Sequence, residues 1–281
     1  MTNSKIIGVG QGMARYAPEI NTITCGDCLQ VMKQIPDKSI DMILCDLPYG
    51  TTACKWDVVI PFEPLWVQYK RIIKNREAIV LFGSEPFSSY LRMSNIKQYK
   101  YDLVWLKGRG SEPALAKLRP QKAHETLSVF ALGGRNPNYY PQMIPRDKPK
   151  IIKGNYSNNG LGILSGSGII EKKYTARFPL SYMEFRNSGQ SVKVHPTQKP
   201  VALLEYLIKT YTLAGDTVLD NCIGSGTTAI ACINTGRNYI GIEKEEKYCR
   251  IAEERIRALR SPVQNTKETR HTAMSKIFFT F

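Results

Sequence analysis

The stretch TVLDNCIGSGTTAIACINTGRNYIGIE, residues 217–243, decides the fold class. Thr217, Val218 and Leu219 form a short apolar run ending in Asp220, which reads as a buried strand. Gly224, Ser225 and Gly226 make a tight turn, and Thr227 to Thr235 reads as a helix that stops at Gly236. Tyr239 to Ile242 predicts a second strand, closed by Glu243. A strand, a glycine turn, a helix and a strand with an acid about twenty residues on is the arrangement that places a carboxylate on ribose hydroxyls. It predicts a site for a nucleoside-like cofactor, with Asp220, Gly224, Ser225, Gly226, Thr227 and Glu243 binding it.

Two cofactor classes fit this unit. Gly224-x-Gly226-x-x-Ala229 satisfies the dinucleotide fingerprint, so a nicotinamide-dependent oxidoreductase is a rival reading. Asp220, four residues before the first glycine, is placed to meet a cationic amino group, which favours S-adenosylmethionine. A second cluster, far upstream, tips the balance. The run Asp41 to Cys45 ends in Asp46-Leu47-Pro48-Tyr49, which combines a carboxylate, a backbone carbonyl held by proline and an aromatic face. An exocyclic amino group on a nucleobase is a poor nucleophile because its lone pair is delocalised into the ring. If Asp46 and the carbonyl of Pro48 each accept one N–H, the nitrogen is drawn toward a tetrahedral shape and its lone pair is exposed. Tyr49 would stack on the base, which must first be flipped out of the duplex at a cost of roughly a few kcal/mol. A strand that merely ends in an Asp-Pro turn has the same residues.

With both clusters in view, the chain resembles the amino-directed DNA methyltransferases, and within them the permuted beta group in which the catalytic motif precedes the cofactor motif. The resemblance runs from about Ile23 to Arg257. It is carried by Gly26-Asp27-Cys28, Asp46-Leu47-Pro48-Tyr49-Gly50, Leu81-Phe82-Gly83, Trp105-Leu106-Lys107, His195-Pro196-Thr197-Gln198-Lys199-Pro200, Asp220 to Thr228 and Ile242-Glu243. It implies Asp46, Pro48 and Tyr49 as catalytic residues and adds Asp27, Cys28 and Lys199 to the cofactor site. Asp27 would meet the adenine, Glu243 the ribose, and Asp220 with the Lys199 region the methionine end. The family usually has two prolines after the catalytic Asp, and Leu47 stands at the first. An Asp at the head of the motif favours adenine N6, whereas Ser there is typical of many cytosine-N4 enzymes. The rival from another class is an inactive DNA-binding protein.

The remaining pattern predicts a doubly wound α/β fold, a mixed sheet with a Rossmann-like methyltransferase core and an inserted target-recognition region. Strands are expected at Ile23–Cys25, Met42–Cys45, Ala78–Phe82, Tyr101–Trp105 and Thr126–Ala131, the last two as an antiparallel edge. Helices are expected at Cys28–Gln34, Phe62–Ile73, Phe87–Met93, Val201–Tyr211 and Tyr248–Leu259, the last with Ile251, Ala252 and Ile256 inward. The catalytic half spans 21–109, the target-recognition insert, including an edge strand of the core, 110–193, and the cofactor half 194–260, with terminal segments 1–20 and 261–281. Asp27, Asp46, Asp220 and Glu243 all follow predicted strands and should converge at one crevice. Each could instead simply cap a helix.

Charge bounds the partner independently. The chain of 281 residues carries a formal +15, and residues 107–193 alone hold 15 Lys or Arg against 5 Asp or Glu. An excess of that kind supplies salt-dependent phosphate contacts to double-stranded DNA. Thr51, Lys55, Trp56, Lys107 and Arg109 are the candidate DNA-binding residues. Seven dispersed cysteines suit a reducing cytoplasm, and no metal site is expected from Cys25 and Cys28, since no second pair follows. No secretory signal or membrane span is read. Resemblance leaves open a homodimer and a cognate restriction endonuclease.

Overall fold

Along the strand Ile40–Cys45 (β2) every residue is buried, and neighbouring side chains go to opposite faces. Ile43 and Cys45 enter one hydrophobic core while Met42 and Leu44 enter another; a register shift between Ile40 and Met42 places Ile40 with the first pair. The strand Ile73–Gly83 (β3) divides likewise, Ile79 and Leu81 against Ala78, Val80 and Phe82. Strands apolar on both faces need helices on both sides. The helices Cys28–Val31 (α1), Phe62–Ile72 (α2) and Phe87–Ser94 (α3) cover one face through Val31, Leu65, Tyr69 and Leu91. Val201–Tyr211 (α4), Thr227–Thr235 (α5) and Glu246–Arg260 (α6) cover the other through Leu203, Leu207, Ala231 and Ile256. This is the doubly wound α/β fold expected from the alternation.

The computed structural model describes residues 18–51, 57–111, 113–155, 169–186 and 198–260. With Thr22–Cys25 (β1), Tyr99–Ser111 (β4), Lys122–Ala131 (β5), Ile144–Asn155 (β6), Ile169–Arg177 (β7), Tyr182–Glu184 (β8), Thr217–Asp220 (β9) and Asn238–Glu243 (β10), the described strands form an eight-stranded sheet ordered β1-β10-β9-β2-β3-β5-β4-β8 and a separate hairpin, β6-β7. From β1 to β3 every pairing is parallel. β5 then runs antiparallel to β3 and β4, so the predicted antiparallel edge is present, with β8 added parallel to β4 outside it.

Several boundaries differ from the sequence reading, for physical reasons. α1 gives way after Val31 to a 3-10 turn, Met32–Gln34. β3 begins at Ile73 rather than Ala78, because Ile73 pairs with Ile40 and carries the polar residues Lys74 to Glu77 into the strand. Ile251 is only half-buried, since α6 turns Ala252 and Ile256 to the core instead. The hairpin β6-β7 and the short β8 have no alternation that announces them.

Candidate active site

Asp46 follows β2 and Asp220 ends β9, two adjacent parallel strands. Asp27 follows β1 and Glu243 ends β10, the next pair. All four carboxylates line one cleft of about 470 Å³ at the carboxyl end of the sheet, as expected of open α/β sheets. Pro48, Tyr49, Cys28, Lys199, Gly224, Ser225 and Thr227 line the same cleft, with Thr51 and Lys107 at it as well. Among the other candidate DNA contacts, Arg109 is exposed on β4, and Lys55 and Trp56, like His195, Pro196 and Thr197, lie outside the described residues.

The turn after β2 is held from several sides. Tyr49 donates its hydroxyl to Asp46 Oδ1 at 2.7 Å, and its ring stacks on Phe87 with centroids 4.9 Å apart. Burial first, then the Asp46 carboxylate, push the Tyr49 hydroxyl well above its ordinary range, so it stays a donor. Gly50 takes a positive φ of 68°, and the buried Asp57 accepts the backbone N–H groups of Gly50 and Thr51 at 2.8 and 2.9 Å. Leu47 packs in the core beneath the turn. Asp57 and the Leu47 anchor thus fix a turn that lacks the first family proline.

Lys199 bridges two carboxylates, Asp46 Oδ2 and Glu125 Oε2, each at 2.9 Å. Glu125 in turn binds Lys107 at 2.5 Å. Two ammonium groups and two carboxylates therefore alternate. Burial pulls Lys199 down, but its two carboxylate partners outweigh burial and hold it above its usual range. Burial pushes the Asp46 carboxyl up against the opposing pull of Lys199, whereas Lys199 and Lys107 outweigh burial at Glu125 and hold it low.

On the cofactor side, Asp220 is buried, accepting Thr228 Oγ1 at 2.5 Å and the N–H of Cys222 at 3.1 Å. Burial pushes its carboxyl up to about 7. Glu243 accepts the N–H groups of Gly224 and Glu245 at 2.8 and 2.9 Å, which ties the glycine turn to the end of β10. Gly224 and Gly226 both have positive φ, 54° and 81°, and a Cβ on Gly226 would stand 2.8 Å from Ala252 Cβ. Arg255 of α6 donates to the carbonyl of Ser225 and, at 2.9 Å, to its hydroxyl. Asp27 caps α1 by accepting from Leu29 and Gln30 at 3.0 and 3.2 Å, while also lining the cleft. The Cys28 and Cys222 thiols hydrogen-bond to each other, which with burial raises Cys28, and burial pushes Cys45 up to about 12. This floor is neutral and offers no thiolate nucleophile.

Glu125, Asp57 and Arg255 belong to this site or its supports and escaped the sequence reading. Glu125 precedes the predicted strand Thr126–Ala131 by one residue, and a single acid at a strand end carries no signal of its partner 74 residues on.

Residues 40–254 match the DNA methylase family of the N6/N4 type. The chain is 30% identical over 271 residues to the Type II methyltransferase M.HinfI of Haemophilus influenzae, an alignment covering 86% of this chain and 69% of the relative. It is 26% identical over 256 residues to the putative methylase YubD of Escherichia coli K12, covering 85% and 91%. Among solved structures, the M1.HpyAVI–SAM complex superposes with a TM-score of 0.54 at 23% identity, covering 83% of this chain and 98% of that one. The cytosine-N4-specific PvuII DNA methyltransferase gives 0.60 at 15% identity, covering 86% and 88%. The chain belongs to the N6/N4 DNA methylase family, a family of S-adenosylmethionine-dependent methyltransferases. No helix among the described residues is long and apolar enough to cross a membrane.

Proposed function

We propose that this chain transfers a methyl group from S-adenosylmethionine to the exocyclic N6 of an adenine flipped out of double-stranded DNA, and that it belongs to the permuted beta group. The observation that carries the proposal is the shared cleft: the Asp46-Leu47-Pro48-Tyr49 turn and the Asp220 to Thr227 turn open into one cavity from neighbouring strands. S-adenosylmethionine supplies an electrophilic methyl on a sulfonium. The residues that fit it are Asp220 for the ammonium, Glu243 for the ribose, Asp27 and Cys28 for the adenine, and the Gly224-Ser225-Gly226 turn with Thr227 for close backbone approach. The buried, raised carboxyl of Asp220 supports this fit, since a cation beside it would relieve the cost of its charge.

Asp46 and the carbonyl of Pro48 hold the target amino group, and Tyr49 supplies the face against the base. The nitrogen gains the methyl, the sulfonium becomes a neutral thioether, and one proton leaves the nitrogen after the bond has formed. No strong base is needed before transfer. The Asp at position 46, where Ser is typical of cytosine-N4 relatives, supports adenine.

The insert 110–193 serves target recognition. The exposed hairpin β6-β7 carries Lys148, Lys150, Lys153, Lys172 and Lys173, a two-stranded basic ribbon of a width that a major groove admits. Thr51, Lys107 and Arg109 contact the DNA nearer the base. The test is nucleoside analysis and sequencing of duplex DNA treated with the protein and labelled cofactor. N6-methyladenine in one sequence context is expected, with none from Asp46→Ala while cofactor binding persists. N4-methylcytosine would refute the adenine assignment, and turnover by Asp46→Ala would refute the role of the carboxylate.

A further inference from the structure

Four buried or half-buried charges in a row are an expensive way to hold a fold together. Replacing a buried ion pair by apolar side chains is often neutral or stabilising, so such a network points to a use other than stability. Asp46 is the member that faces the transfer chemistry. We propose that Lys199 and Glu125 are positioning residues for methyl transfer, Lys199 holding the Asp46 carboxylate in the orientation that the target amino group requires and Glu125 holding Lys199 in place. This rests on the role given to Asp46 above.

An ionised carboxylate offers about four lone-pair sites. Tyr49 occupies one on Oδ1 at 2.7 Å and Lys199 one on Oδ2 at 2.9 Å. Contacts on both oxygens orient the carboxylate plane, and they use two of its four sites. Lys199 is itself held, by Glu125 at 2.9 Å and by the faces of Phe82 and Trp105, 5.1 and 5.8 Å from its nitrogen. Glu125 is fixed by its strand pairing, Glu125 opposite Trp105, and by Lys107. The chain of support therefore runs from the antiparallel edge of the sheet to the reacting nitrogen.

The two residues act on Asp46 with opposite signs, and that separates positioning from packing. The groups facing Asp46 are Lys199 from the segment before α4, Glu125 from β5, Tyr49 from its own turn, and Asp220 and Cys45 from the ends of β9 and β2. Lys199 favours the carboxylate form, whereas the negative charge of Glu125 opposes it. Removing Lys199 should make Asp46 harder to ionise. Removing Glu125 while Lys199 remains should make it easier.

The experiment is single-turnover methyl transfer to duplex DNA at saturating cofactor, from pH 5 to 9, for the wild type, Lys199→Met, Lys199→Arg and Glu125→Gln. Lys199→Met is expected to lose on the order of a hundredfold in rate at neutral pH, with the acid limb moved up by about one pH unit or more. Glu125→Gln is expected to lose about tenfold, with the limb moved down. Lys199→Arg should restore the wild-type limb, and cofactor affinity should change by no more than about twofold in Glu125→Gln. If either single variant fails to fold, Lys199→Met with Glu125→Gln removes both charges, and its limb should lie above that of Glu125→Gln or below that of Lys199→Met, whichever single variant folds. Rates that drop with unmoved limbs, limbs that move together, or an Arg variant like the Met variant would overturn the proposal. A wild type that methylates no duplex would instead refute the underlying function, and that arm needs no variant.

Discussion

Cofactor affinity should depend steeply on pH through Asp220, and the structure sets the size of the effect. Burial moves this carboxyl from 3.8 to about 7, equivalent to roughly 4 kcal/mol against the charged form. Below pH 7 most of the protein therefore carries a neutral Asp220, whereas under the proposed function the ammonium of the cofactor binds the ionised form. Apparent affinity scales with the ionised fraction, so it should rise about fivefold from pH 6 to 7, with less than about a further twofold above that. From pH 5 to 7 the rise should approach about fiftyfold, until protonation of the bound form sets a floor. Titration calorimetry across this range, repeated in buffers of different ionisation enthalpy, would measure both the affinity and the proton released on binding. Asp220→Asn keeps the size of the side chain and should flatten the profile. Folding stability is linked to the same proton. Between about pH 4 and 7 the folded state holds a proton that the unfolded chain has released, so this group's contribution to stability falls as pH rises through that window. A wild-type affinity independent of pH, or an Asn variant with the wild-type slope, would refute the reasoning.

Three further outcomes follow from the geometry. Gly226→Ala forces a Cβ to within 2.8 Å of Ala252 Cβ at a φ of 81°; it should destabilise the fold by about 1–3 kcal/mol and weaken cofactor binding, as read by thermal unfolding and calorimetry. Asp57→Ala removes the acceptor of the Gly50 and Thr51 N–H groups; transfer rate should fall while cofactor affinity stays, and a rate equal to wild type would show that Asp57 does not hold the turn. Lys172→Gln with Lys173→Gln should lower the slope of log affinity for DNA against log salt by about one for each phosphate that the two lysines neutralise, measured by fluorescence anisotropy; an unchanged slope would remove the hairpin from the DNA interface.

What the sequence made legible is what short-range physics controls. The β9, glycine turn, α5 and β10 unit was readable because Gly224 and Gly226 need positive φ and because Val218, Leu219, Ile240 and Ile242 form short apolar runs. The turn after β2 was readable for a similar reason, since an acid and a proline at the end of a wholly buried strand are a local pattern. The β6-β7 hairpin was not readable: its prolines and lysines carry no period-two signal, and its strands exist through their pairing with each other. Lys199 was readable as a site residue but not as a partner of Asp46, and Glu125 was not readable at all. Their meeting depends on the register of β5 against β4 and on the path into α4, and neither is encoded within any one window of residues.

The pairing of β2 with β9 explains why one cleft can serve both reactants although the two motifs lie far apart along the chain. Met42 lies beside Val218 and Ile43 beside Leu219, and at the opposite end from the cleft the Asp41 side chain accepts the N–H of Thr217 at 3.0 Å while binding Lys74 at 2.6 Å. These strands also mark the place where the sheet order reverses, with β9, β10 and β1 on one side of β2 and β3, β5, β4 and β8 on the other, which is where open α/β sheets open a crevice. The same adjacency sets Asp46 close enough for its charge to raise the Asp220 carboxyl, and Coulomb repulsion is mutual. A carboxylate beside a cation keeps its charge more readily, and Asp46 and Asp220 each have a place for one. Lys199 supplies one from the protein, and the other falls to the cofactor's ammonium under the proposed function.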